Sequence, residues 1–257
     1  MVLLTSGDSW TQGDSPANTL DWEAVKTLDW YDIPLDFGNP YATGYLDTRV
    51  PYKFYNSNVW PKVLGKKLGL QTINIGRLGT GNAEIALATI NTVQRLLNED
   101  VKDILVIVGW SSMLRMTCYT YNTKTSRIQP EQIRPWDDGF SSLYSNHRVV
   151  EDNFVFEIFK LQQYLKYKNV KFLFYNAFDT FDNFDNNHFS DLIDKSHWIN
   201  QDVKSAHCIE YLASLAGYPS DNKMIEGDWF KQGHPTDMAH TKWAEYITEY
   251  IAKNKVI

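Results

Sequence analysis

Three short strand-like runs in this chain each stop at a glycine. Val2-Leu3-Leu4-Thr5 leads into Ser6-Gly7-Asp8-Ser9, Gln71-Thr72-Ile73-Asn74-Ile75 into GRLGTGN, and Asp103-Ile-Leu-Val-Ile-Val108 into Gly109-Trp110-Ser111. The first run, apolar and closed by a glycine turn, fits a buried strand; the second reads as another strand and the third is the most apolar in the chain. Helical patterns lie between and after them. Residues Val59 to Leu68 end at Gly69, and AEIALATINTVQRLLNE follows Asn82 as its expected cap. A helix over roughly Asp152 to Lys168 precedes a fourth strand, Val170 to Tyr175. Residues 201–216 read as helical, and Thr236 to Lys253 as a final amphipathic helix, with Met238, Trp243, Ala244, Ile247 and Ile251 available for one face. Strands alternating with helices require crossover connections and hence a parallel sheet. In such a sheet, sites form beyond the carboxyl ends of the strands, so the three glycine-bearing loops converge on one rim.

Two stretches break the pattern. Residues 13–58 contain Pro16, Pro34, Pro40 and Pro51 among scattered aromatics, and residues 117–150 are also irregular. Loops that long are functional or hold small elements the periodicity does not resolve. The segment DTFDNFDNN at 179–187 is acidic and turn-rich. We expect one domain over 1–257, with irregular aromatic-rich insertions at about 14–60 and 117–150.

Composition narrows the function classes. A net charge of -6 argues against nucleic acid as the main partner. Aromatic residues reach 14%, with nine Trp and fifteen Tyr; such rings fill cores but also stack on sugars or partners. Two cysteines, Cys118 and Cys208, make neither a disulfide framework nor a CxxC pair. No apolar run spans a bilayer, and Met1-Val-Leu-Leu is too short for a signal peptide's apolar region. No membrane association and a cytoplasmic place are expected. GDSWTQG is not a GxSxG elbow, no GK[ST] phosphate loop occurs, and GRLGTGN lacks the dinucleotide spacing. Asp179, Asp182 and Asp185 lack EF-hand spacing, and His147, His188, His197 and His207 lack metal-ligand spacing. Neither cofactor nor metal is expected.

The blocks Gly7-Asp8-Ser9, Asn74-Ile-Gly-Arg-Leu-Gly79, Gly109-Trp110-Ser111 and His234-Pro235 come in one order across nearly the whole chain. In that order they resemble the SGNH (GDSL-type) hydrolase superfamily. The resemblance implies a three-layer α/β/α sandwich on a parallel, flavodoxin-like sheet. It implies Ser9 as nucleophile and His234 as the base that takes its proton. It implies an oxyanion hole from the main-chain N–H groups of Ser9 and Gly79 and a side chain of the third block, here Ser111. Asp8, Trp10, Asn82, Trp110 and Arg115 flank these groups and are expected to line the substrate site. Each block has a simpler reading. Ser9 could be the N-cap of the next helix, Gly79 a turn with positive φ, His234-Pro235 a helix entry, and Arg115 half of an ion pair.

Two departures from the family pattern matter. Ser111 stands where the family has asparagine. Lys231 stands three residues before His234, where the family has its acid; Asp228, six residues before, could reach the imidazole if EGDWFKQG bulges. Asp237-Met-Ala-His240 spells the acid-histidine pattern too, but inside the last helix, so His234 is the better base. The expected activity is hydrolysis of an ester, such as an O-acetyl group on a carbohydrate. The alternative is a binding or assembly protein on the same fold with a degenerate triad. GDSWTQG, NIGRLGTGN and GWSSMLR are also similar to SGNH-like proteins of tailed bacteriophages, which would put the chain in a virion, with homo-oligomer or virion assembly.

Overall fold

Leu3, Leu4 and residues 105–108 are completely buried, so the two most apolar runs are strands covered on both faces. A computed structural model describes residues 1–13, 58–77, 79–122, 127–133, 147–178, 189–201, 207–219, 225–231 and 233–257. The first expected insertion and the acidic run at 179–187 lie almost wholly outside the described residues. In chain order the elements are β1 (Val2–Ser6), α1 (Ser9–Gln12), α2 (Trp60–Leu68), β2 (Gln71–Asn74), α3 (Asn82–Asn98) and β3 (Ile104–Trp110). They continue with β4 (Met116–Asn122), β5 (Arg127–Ile133), α4 (His147–Tyr167), β6 (Lys171–Asn176), α5 (Cys208–Ala216), β7 (Phe230–Lys231), β8 (His234–Pro235) and α6 (Asp237–Asn254). Three short 3-10 turns lie between β6 and α5.

The main sheet has the order β2-β1-β3-β6, and all its pairs are parallel. Leu4 pairs with Ile73 on one side and Val106 on the other. Successive strand residues face opposite sides, and β6 shows what each side meets. Phe174 packs near Trp110 at 5.4 Å between ring centroids, and Trp110 meets Phe154 of α4 at 6.0 Å. The next residue, Tyr175, meets Trp60 of α2 at 5.8 Å and Trp243 of α6 at 5.0 Å. Helix α4, packed with α3, therefore covers one face, and α2, packed with α6, covers the other. The fold is α/β in three layers, as expected. Among the described residues, no helix is long and apolar enough to cross a membrane.

Several boundaries differ from the sequence reading. The stretch from 117 opens not as an irregular loop but as an antiparallel hairpin of β4 and β5; its Thr and Tyr residues suit a pleated surface. Helix α4 starts at His147, and the helix expected over 201–216 runs from Cys208. On α6, Ala239, His240, Trp243, Ala244, Ile247 and Ile251 form the buried stripe, while Met238 falls outside it at 39% exposure. The His234-Pro235 pair is not a helix entry; it forms a strand against Phe230-Lys231.

Candidate active site

The site begins where β1 turns into α1. Asp8 has extended backbone angles, and its Oδ1 accepts the N–H of Trp10 at 3.0 Å. Asp8 is therefore the N-cap, and Ser9 is the first residue of the helix rather than its cap. The single turn closes at Gly13, in the left-handed region, whose N–H donates to the Ser9 carbonyl at 2.8 Å. Because Asp8 does the capping, the Ser9 hydroxyl is available to another partner. That partner is His234, with Oγ and Nε2 3.0 Å apart. In the tautomer protonated at Nδ1, the Ser9 hydroxyl donates to Nε2. Ser9 is only 2% exposed, whereas the imidazole of His234 is half-buried.

His234 is delivered by a tight hairpin. Lys231 and His234 pair directly across a two-residue loop, and Gly233 holds φ at +72° in it. A second loop residue with positive φ is the glycine position of such hairpins. The hairpin is pinned from three sides. The Trp10 indole N–H donates to the Gly233 carbonyl at 3.2 Å. Phe230, wholly buried, lies 5.8 Å from the Trp10 ring. Thr236 donates its N–H to the Trp229 carbonyl at 3.0 Å and its hydroxyl to the Asp228 carbonyl at 2.5 Å. Trp10 is thus a buried clamp on the histidine loop, not a substrate-lining residue. Asp228 is exposed, and the hydrogen bond described for it is through its main-chain carbonyl; its carboxylate is not brought to the imidazole. Directly paired residues in an antiparallel ladder project to the same side, so Lys231, not an acid, shares the face of His234. His240 is 3% exposed on α6, and burial, aided by the nearby His234, pushes its pKa down to about 3. It is a neutral core residue.

A second web joins the loops after β1 and β3. Asp8 is wholly buried; its Oδ2 accepts the Ser111 hydroxyl at 2.7 Å and Arg115 Nη1 at 3.1 Å. The Asn82 amide donates to the carbonyls of Ser111 and Ser112 at 3.2 and 3.0 Å, and its oxygen accepts the Ser111 N–H at 2.9 Å. Both donors of Ser111 are therefore committed, which removes it from the oxyanion hole. Asn82 is no helix cap, since Gly81 holds that position, and its occupied side chain braces the third loop instead of touching substrate. Trp110 is wholly buried against Phe154 and Phe174, so it does not line the site either. Gly79 has φ of +71°, as its turn reading requires. Arg115 sits on the rim with its side chain 26% exposed and its guanidinium 5.4 Å from the Phe178 ring centroid.

The motif reading overlooked Asn74. Its amide donates to the Thr11 carbonyl at 2.8 Å, while its oxygen accepts the Thr5 hydroxyl at 3.1 Å and the Gly76 N–H at 3.0 Å. Arg77 adds a main-chain bond to the Gly7 carbonyl at 3.0 Å. An asparagine at the end of the strand, just before the glycine-rich loop, was the available signal. Among the described residues, no group of His, Cys, Asp and Glu is arranged to hold a metal ion.

A family model described as a family of unknown function (DUF6071) matches residues 46–257. No curated protein matches the chain. Among solved structures, the chain is similar to a protein described as lipolytic and of the G-D-S-L family from Desulfitobacterium hafniense DCB-2. The identity is 13%, with 96% of this chain and 98% of that one covered, at a TM-score of 0.47. It is also similar to an acetyl xylan esterase, AlAXEase, at 12% identity, covering 98% of this chain and all of the other (100%), at a TM-score of 0.44.

Proposed function

This chain belongs to the DUF6071 family, and we propose that it is a serine esterase in which Ser9 is the nucleophile and His234 the general base. The observation that carries this reading is the 3.0 Å approach of His234 Nε2 to Ser9 Oγ, made by residues 225 positions apart. As Ser9 Oγ bonds to the ester carbonyl carbon, His234 accepts the hydroxyl proton. The carbonyl oxygen becomes an oxyanion, and the main-chain N–H groups of Ser9 and Gly79 are its proposed donors. The N–H of Ser9, at the first helical position, has no intrahelical acceptor. When the tetrahedral intermediate collapses, the alcohol leaves with the proton from the imidazolium. Water then attacks the acyl-serine, giving its proton to His234, and Ser9 recovers its hydrogen as the acid departs.

Neither Asp228 nor Lys231 serves as an acid behind the histidine. The hairpin that carries the imidazole is fixed at both ends by Trp10 and Thr236. We propose an O-acyl group on a carbohydrate as the substrate. This rests on the aromatic-rich stretches at 14–60 and 117–150, which lie largely outside the described residues.

A fluorophosphonate probe should label the intact protein, with the modification mapping to Ser9. Turnover of p-nitrophenyl acetate should fall by at least about a thousand-fold in Ser9→Ala, as on loss of a triad member. No labelling, together with equal rates in wild type and variant, would leave the alternative reading: a binding or assembly protein on a hydrolase-like fold.

A further inference from the structure

Two cations lie beside the segments that carry Ser9 and His234: Arg115 is bonded to Asp8, the residue before Ser9, and Lys231 is the strand partner of His234. Arg115 comes from the loop after β3. One of its five N–H donors goes to Asp8 Oδ2 at 3.1 Å, and no other has a partner among the described residues. The guanidinium is held twice over, by a wholly buried carboxylate and by the Phe178 ring 5.4 Å from its centre. Phe178 itself packs edge-on against Trp10 at 4.6 Å, so the rigid fork is tied to both residues flanking Ser9. Lys231 comes from the hairpin. It is exposed, shares the face of His234, and makes no ion pair among the described residues, including with the exposed Asp228. A pre-organised guanidinium with free donors is the geometry that reads a carboxylate, phosphate or sulfate; a free ammonium adds an adaptable point charge.

We propose that Arg115 and Lys231 form an anion-reading subsite, so that the preferred substrate is an ester carrying a negative charge close to the scissile bond. On a carbohydrate, that means an acidic sugar. This rests on the esterase reading for its chemistry, though not for the binding it predicts. It also gives a use to Lys231, three residues before His234.

The test compares 4-acetoxybenzoate with its neutral amide, 4-acetoxybenzamide. The two share the acetyl group and ring and differ in charge. Rates are normalised to spontaneous hydrolysis. Wild type should prefer the acid by about tenfold or more in kcat/KM, roughly the value of one good charge-assisted contact. Arg115→Lys and Lys231→Gln should each shrink that ratio, and high salt should shrink it in wild type. Ser9-dependent turnover with a ratio near one would overturn the anion subsite and leave the esterase intact. Absence of any Ser9-dependent turnover would overturn the esterase reading alone. Saturation-transfer NMR of both compounds with Ser9→Ala then decides the subsite without catalysis. Preferential binding of the acid, lost in Ser9→Ala/Lys231→Gln, supports it, and equal binding of acid and amide overturns it.

Discussion

Asn82 makes three hydrogen bonds to the main chain of Ser111 and Ser112, and it is 4% exposed. Truncating it leaves two carbonyls and one N–H without their partner in a site that water enters poorly. Asn82→Ala should therefore lose about 2–3 kcal/mol of stability, measured by urea unfolding; a loss below half a kcal/mol would show that the loop after β3 holds itself. His240 makes an opposite kind of statement. A histidine in the unfolded chain titrates near 6.5, whereas burial holds His240 to about 3. As pH falls through 6.5, the unfolded chain takes the proton first, so stability is complete above that pH and declines below it. The decline attributable to one such group is up to ~1.4 kcal/mol per pH unit. His197, also lowered by burial, adds to it. Unfolding free energies of His240→Phe should thus fall less steeply between pH 6.5 and 4.5 than those of wild type; parallel slopes would refute a buried neutral imidazole. The family that the motif blocks resemble implied Ser9 and His234 as partners. The sequence could not say that Asp8 rather than Ser9 would take the capping role, because that depends on which of the two side chains folds back onto the N–H two residues ahead of it.

The one-turn helix α1 is packed so tightly that a methyl group cannot be added beside it. A Cβ on Gly76 would lie 2.6 Å from the Gln12 nitrogen and 2.8 Å from the Thr11 carbonyl carbon. Both are backbone atoms, so α1 itself must move. Gly76→Ala should lower stability by about 1–3 kcal/mol, as overpacking does, and should depress p-nitrophenyl acetate turnover more than the stability loss explains. A melting temperature equal to wild type would show that the loop after β2 has room to yield. The same crowding explains why glycine ends the runs: Gly7 approaches Thr11 and the Gly109 carbonyl just as closely. The hairpin of β7 and β8 was harder to foresee. Two-residue strands leave no periodicity, and Pro235 points by habit to a helix start. Only pairing with Phe230-Lys231, with Phe230 buried under Trp10, makes His234 a strand residue.

Trp243 shows how the layers depend on one another. It is 1% exposed on α6, and its ring lies 5.0 Å from Tyr175 of the sheet, 5.7 Å from Tyr211 of α5 and 5.3 Å from Tyr246. Trp243→Ala should cost about 3–5 kcal/mol, the usual loss for a buried indole. His234, on the strand that leads into and contacts α6, should lose its register with Ser9 before global unfolding. Calorimetry and fluorophosphonate labelling together read this: labelling should fall at a lower temperature than the main transition. Coincident loss of both in the variant would mean that site and core melt as one unit.

The three-layer plan followed from residues 2–5, 71–75, 103–108 and 170–175 and the amphipathic helices between them; in the inner strands β1 and β3, burial on both faces leaves a near-continuous apolar record. The pairing of Ser9 with His234 was legible only through the order of the motif blocks and the family they resemble, since His234 lies on a hairpin outside the main sheet. What the tertiary arrangement alone decided was the work of each polar group there. Ser111 gives its donors to Asp8 and Asn82, Trp10 and Trp110 turn inward, and Lys231 stands across from the imidazole. A hydrogen-bonding group chooses among partners brought within 3 Å by distant segments, and no local pattern in a chain records that choice.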